Sequence, residues 1–207
     1  MLTNKFKFNY SIGSVANGIK TDTFTFFLLF FYSSVIGLEP GLAGLAIFIA
    51  LCIDAVTDPL MGTISDRTNT KYGRRHPYMM ISFIPMSLGY ILLFAPRQDW
   101  DMSQNDLFIW MTLFTVLTRL GMTLFDIPHR AFGGEVTKNY EERTLLMSWR
   151  EMIGWVAGLS NAFLGYGIFF ASTPEYPQGQ LNPDVWFPFA LTGAIFMVAA
   201  VLYSSFT

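Results

Sequence analysis

Charge is what this sequence has least of. Only 14% of its 207 residues are Asp, Glu, Lys or Arg, against about 25% in an ordinary soluble domain. Other polar residues do not fill the gap, since 52% are hydrophobic and Phe alone numbers 21. This composition argues against a water-soluble fold and for a membrane protein. Cysteine is nearly absent too. The single Cys52 excludes an internal disulfide framework, and its place in an apolar run makes it a small packing residue. A net charge of -2 carries no basic excess, so nothing points to nucleic acid. The apolar runs lack strand-like alternation, which leaves helices rather than a barrel. No Gly-rich phosphate loop, metal-cluster spacing or catalytic triad pattern is present, which speaks against an enzyme and for no cofactor beyond an ion.

What is there is a set of long apolar runs. Six of them, at 11–37, 41–65, 77–96, 107–127, 150–171 and 185–206, reach the length of about 20 residues that a membrane crossing needs. The first is too long for a signal-peptide core and lacks a small-residue cleavage site, so it reads as a retained helix. The fold expected is an all-α membrane protein whose six transmembrane helices form one bundle over 1–207. Lys5, Lys7, Arg67, Lys71, Arg74, Arg75, Arg130, Lys138, Arg143 and Arg150 fall at the N-terminus or in the loops after spans two and four. The alternate loops hold only Arg97. The positive-inside rule then places both termini in the cytoplasm, as an even span count also requires. The polar stretch 128–144, opened by Pro128, is expected to be a loop, with His129 as an ordinary interfacial residue at its entrance.

Two acids interrupt the second run. Asp54 and Asp58 are four residues apart and share one helix face. A charged acid at the bilayer centre costs about 2.5–3.5 kcal/mol on insertion scales, and two like charges add repulsion. Either one is protonated or a cation sits between them. Pro59 frees the Ala55 carbonyl and Thr57 offers a hydroxyl, so an oxygen set suited to a hard monovalent cation is at hand. The competing reading places both acids near the cytoplasmic end, paired with Arg67. Asp126, with Thr123 one turn before it, is a further intramembrane acid, with a salt bridge to Arg130 or Arg119 as its plainer role. Lys20 and Asp22 in the first run are placed to pair across to these acids, and snorkelling of Lys20 is an equal alternative. Gly154 and Gly158 form a GxxxG, which ordinarily means close helix packing. Trp110, Trp149 and Trp155 are either interface anchors or stacking platforms for a sugar.

At this point the chain resembles a known family. Gly62 to Arg75, GTISDRTNTKYGRR, looks like an expanded form of the loop motif of the major facilitator superfamily. The preceding DAVTDP is similar to a segment of the glycoside-pentoside-hexuronide:cation symporters. Gly121-Met122-Thr123 with Asp126-Ile127-Pro128 resembles their fourth helix, and Glu142-Arg143-Thr144 with Arg150 the start of their fifth. The resemblance implies a cation site of Asp54, Thr57, Asp58, Thr123 and Asp126, with Asp54, Asp58 and Asp126 as the metal carboxylates if the ion is sodium. It makes Asp126 and Arg150 substrate-side residues. Gly62, Asp66, Arg67, Gly73, Arg74 and Arg75 become a cytoplasmic gating loop. Two departures stand out from melibiose-type members of the family. Gly18 occupies the place of their sugar-binding acid, for which Asp22, one turn on, is the substitute. Arg130 replaces a sugar-stacking Trp, and with Lys20 it favours an anionic sugar such as a uronide.

The function expected is symport of a sugar or glycoside with sodium or protons across a bacterial inner membrane. The family has two six-helix bundles with substrate between them, so a C-terminal half is the expected partner, and a half-carrier inactive alone is an alternative. A lysolipid or peptide cargo on the same scaffold is the other.

Overall fold

The structure, a computed structural model, describes residues 2–71 and 73–206. Among them helices dominate and no strand occurs. A nine-residue helix, Asn4–Ile12, opens the chain, capped by the Thr3 hydroxyl accepting from the Phe6 amide. Six apolar helical spans follow: Ser14–Ile36, Pro40–Arg67, His76–Leu93, Gln104–Glu135, Tyr140–Phe169 and Pro183–Phe206. These are the six expected, with altered ends.

Local chemistry explains the ends. The first span closes on Gly37 in the left-handed conformation, φ 89°, and the Leu38 amide reaches back to the Tyr32 carbonyl at 2.8 Å. Pro40 then starts the second span, where a missing amide hydrogen costs nothing. Ser103 and Asp106 form a reciprocal capping box that starts the fourth span.

The largest difference from the sequence expectation lies between spans four and five. Pro128 does not end the fourth span, which continues to Glu135. The fifth begins at Tyr140, capped by Asn139, ten residues before Arg150. The expected loop at 128–144 shrinks to 136–139. Buried neighbours re-satisfy the backbone that a proline frees inside a membrane helix, so proline is a weak terminator there.

The first span packs on the fifth and sixth, the third on the fourth and sixth, and the second on the fourth. Small residues set the closest approach. A Cβ on Gly18 would collide with the Gly154 backbone, and one on Gly158 would meet the Gly18 carbonyl at 3.0 Å. The GxxxG therefore packs, as that motif ordinarily does. One end of the bundle is closed by aromatic rings. Trp186, fully buried, lies 4.7 Å from Phe170 and 5.0 Å from Phe31 between ring centroids.

Candidate functional site

The second span faces the fourth with its smallest side chains: Ala43, Ala46 and Ala50 are all fully buried. This lets the two helices lie close, and polar residues join them further on. Asp54 lies 14 residues into its helix, about 21 Å along the axis. Arg119 lies 15 residues into the fourth span, at matching depth. Arg119 Nη1 pairs with Asp54 Oδ2, the two side chains being 15% and 20% exposed. One turn on, Thr123 Oγ1 donates to Asp58 Oδ1 at 2.7 Å. Spacings of four residues on both helices thus form a two-rung ladder. Asp54 Oδ1 and Thr57 Oγ1 are buried beside it with no hydrogen-bond partner among the described residues. The acids do not sit at the helix end with Arg67, the competing expectation.

Asp126 follows Thr123 on the fourth span. It accepts from Arg130 Nε at 2.6 Å and pairs with Arg150 Nη2 from the fifth span. Of its two expected partners it takes Arg130, while Arg119 goes to Asp54. Arg150 is 1% exposed and also holds Glu151 at 2.8 Å. Lys20, half-buried on the first span, lies within electrostatic reach of Arg119, Asp126, Asp54 and Asp58.

Arg150 also leads to a cavity of about 270 Å³ between the first and fifth spans, lined by Asn17, Asp22, Thr25, Glu151 and Trp155 among others. Asp22 is buried there, and its Oδ2 has no partner among the described residues. Trp155 is 72% exposed along this wall. Trp110 instead donates to the Leu92 carbonyl at 2.8 Å and anchors the third span to the fourth. Of the expected substrate residues, Asp22 and Arg150 line the cavity and Asp126 reaches it through Arg150. Arg130 does not line it.

No three described carboxylates, imidazoles or thiols come together in a group that would hold a metal ion, and Asp54, Asp58 and Asp126 are each drawn to a different partner: Arg119, Thr123, and Arg130 with Arg150. One expectation needs correction. His129 is not interfacial. It is fully buried, stacked between Tyr10 and Phe125 at 4.2 and 4.9 Å, with Nε2 3.1 Å from both the Tyr10 carbonyl and Ser204 Oγ. The extension of the fourth span past Pro128 carries it inside.

The basic loop is tied to the bundle by Arg75, whose side chain is 7% exposed. Arg75 bonds Asp66 at 2.8 Å and Glu135 at 3.0 Å, and Arg74 reaches Glu135 at 3.2 Å. Gly73, at φ 90°, makes the turn that brings both arginines back. Gly62 leaves room for the fourth span, with Ile127 as the nearest atom to a Cβ there, at 3.8 Å. Glu135 was not singled out in the sequence. An acid at the end of a span, opposite two adjacent arginines, was its only signal.

With this geometry in hand, the comparisons decide the family. A family model described as MFS/sugar transport protein matches residues 9–207. The chain belongs to that family. It is 34% identical to an uncharacterized symporter of Synechocystis sp. over 85% of this chain and 33% of that protein. It is 33% identical to a putative glycoside/cation symporter of Escherichia coli over 77% of this chain and 34% of the relative. It is 29% identical to an inner membrane symporter of the same organism over 79% of this chain and 35% of the relative. The chain spans about a third of the length of these curated relatives. The resemblance to the glycoside-pentoside-hexuronide:cation symporters therefore stands, the family is one of transporters, and the chain is a multi-pass membrane protein.

Proposed function

We propose that this chain is one six-helix half of a cation-coupled symporter that carries a sugar or glycoside across a bacterial inner membrane. One observation carries the proposal. Thr123 on the fourth span bonds Asp58 on the second, and Asp126, three residues on along the same helix, pairs with Arg150 at the wall of the cavity. Asp54, Thr57, Asp58 and Thr123 form the cation end. Asp126 stands between the ends, and Asp22, Arg150 and Trp155 form the sugar end, with Arg130 at its rim. Charge added at the cation end changes what Asp126 attracts, so cation and sugar affinities are linked. A second six-helix bundle completes the substrate site, in keeping with relatives more than twice as long. Both termini lie in the cytoplasm, supported by the cations after spans two and four.

The test is uptake of a labelled glycoside by the carrier that contains this chain, under imposed sodium or proton gradients. Asp58→Asn is expected to abolish stimulation by either ion. Unchanged stimulation in that variant contradicts the proposal.

A further inference from the structure

Arg119 is the residue that the symport reading leaves without a task. A guanidinium at the middle of a membrane span is costly unless it serves a purpose. Here it sits on the carboxylate that the reading assigns to the coupling ion, pairing Nη1 with Asp54 Oδ2. Its other side lies over the Phe24 ring, 5.4 Å from the centroid, so it is held on two faces. Its Nε has no partner among the described residues. The ion pair and the ring fix it, not a wider hydrogen-bond network.

Asp54 is matched without any ion from outside, because Arg119 pairs with it directly, while Asp126 takes Arg150 and Arg130, and Asp58 the Thr123 hydroxyl. A sodium ion entering beside Asp54 would meet the guanidinium as a like charge in a place of low dielectric, where repulsion is least screened. The carboxylates suit sodium by type but not by charge.

We infer that Arg119 is a tethered counter-ion that takes the place of sodium at Asp54, and that its removal opens a sodium site made by Asp54, Thr57, Asp58 and Thr123. The inference rests on the symport reading, because it takes those oxygens to be the cation end. It narrows that reading to an ion other than sodium. The arrangement also explains why Asp54 Oδ1 and Thr57 Oγ1 lie buried and unmatched beside the pair. They are the remaining oxygens of a cation site whose centre a side chain has filled.

The experiment is thermal unfolding of the purified carrier that contains this chain, in sodium chloride against choline chloride at equal ionic strength. The wild type, Arg119→Met, Arg119→Gln, Arg119→Lys and the double variant Arg119→Met with Asp54→Asn are compared. The wild type and Arg119→Lys are expected to show no sodium-specific shift. Arg119→Met and Arg119→Gln gain a saturable sodium-dependent rise in midpoint, with sodium bound at least about tenfold more tightly than by the wild type. The double variant loses that rise. A saturable sodium response in the wild type overturns the inference while leaving the symport reading intact, and this arm does not depend on any variant folding. If both neutral variants unfold cooperatively yet ignore sodium, the inference fails together with the assignment of these oxygens as a cation site.

Discussion

Arg150 and Asp126 pair between the fifth and fourth spans, with Arg150 1% and Asp126 14% exposed at the side chain. Breaking a buried pair from one side costs about 3–5 kcal/mol when the remaining charge has no other partner, and less here because Asp126 keeps Arg130. Arg150→Met is therefore expected to lower the unfolding midpoint more than Arg150→Met combined with Asp126→Asn. A double-mutant cycle by thermal unfolding checks this, and strict additivity speaks against the pairing.

Gly18 is the point where the first and fifth spans touch. Gly18→Ala forces the helices apart and is expected to destabilise by about 1–3 kcal/mol, the usual range for overpacking. Gly44→Ala meets nothing within 4 Å and is expected to stay within about 0.5 kcal/mol of the wild type. Equal effects of the two substitutions are the contrary result.

Much of this was readable beforehand, and the reasons are chemical. Asp54 and Asp58 announce themselves because charge in an apolar helix is an anomaly with few explanations. GTISDRTNTKYGRR marks the arginines that return to the bundle. Partners were harder to read than sites. Arg119 appears in the sequence as an interruption of the fourth span. Which acid it meets depends on the register of two helices 65 residues apart, and no local pattern encodes that register. The sequence puts the stretch with His129 and Glu135 in a loop because Pro128 reads as a helix end, and neighbouring helices overrule that signal. The family resemblance implies one site for Thr123 and Asp58, but the hydrogen bond between them is visible only in the structure.

Arg75 joins the loop to both Asp66 and Glu135. Because these acids are 58% and 50% exposed, each contact is worth at most about 1 kcal/mol. Arg75→Gln removes both and is expected to speed amide exchange over residues 68–75 while leaving the spans protected. Glu135→Gln, which weakens the contacts of both Arg74 and Arg75, is expected to have a comparable effect. Hydrogen exchange followed by mass spectrometry checks both.

Tyr10, in the helix before the first span, donates to the His129 carbonyl at 2.9 Å. Burial pushes its phenol up to about 12. The unfolded phenol loses its proton near pH 10, while the folded one keeps it. The stability this confers is therefore complete below pH 10 and lost as pH rises from 10 to 12. Unfolding midpoints measured across that window are expected to fall, and to fall less steeply in Tyr10→Phe.

The central claim is that the Asp58 end and the sugar cavity are linked through Thr123 and Asp126. Equilibrium binding of a labelled glycoside to the carrier, measured with and without its coupling cation, tests this most directly. The wild type is expected to bind more tightly with the cation, and Asp58→Asn to bind with one affinity under both conditions. A cation-dependent change of the same size in Asp58→Asn would contradict the account.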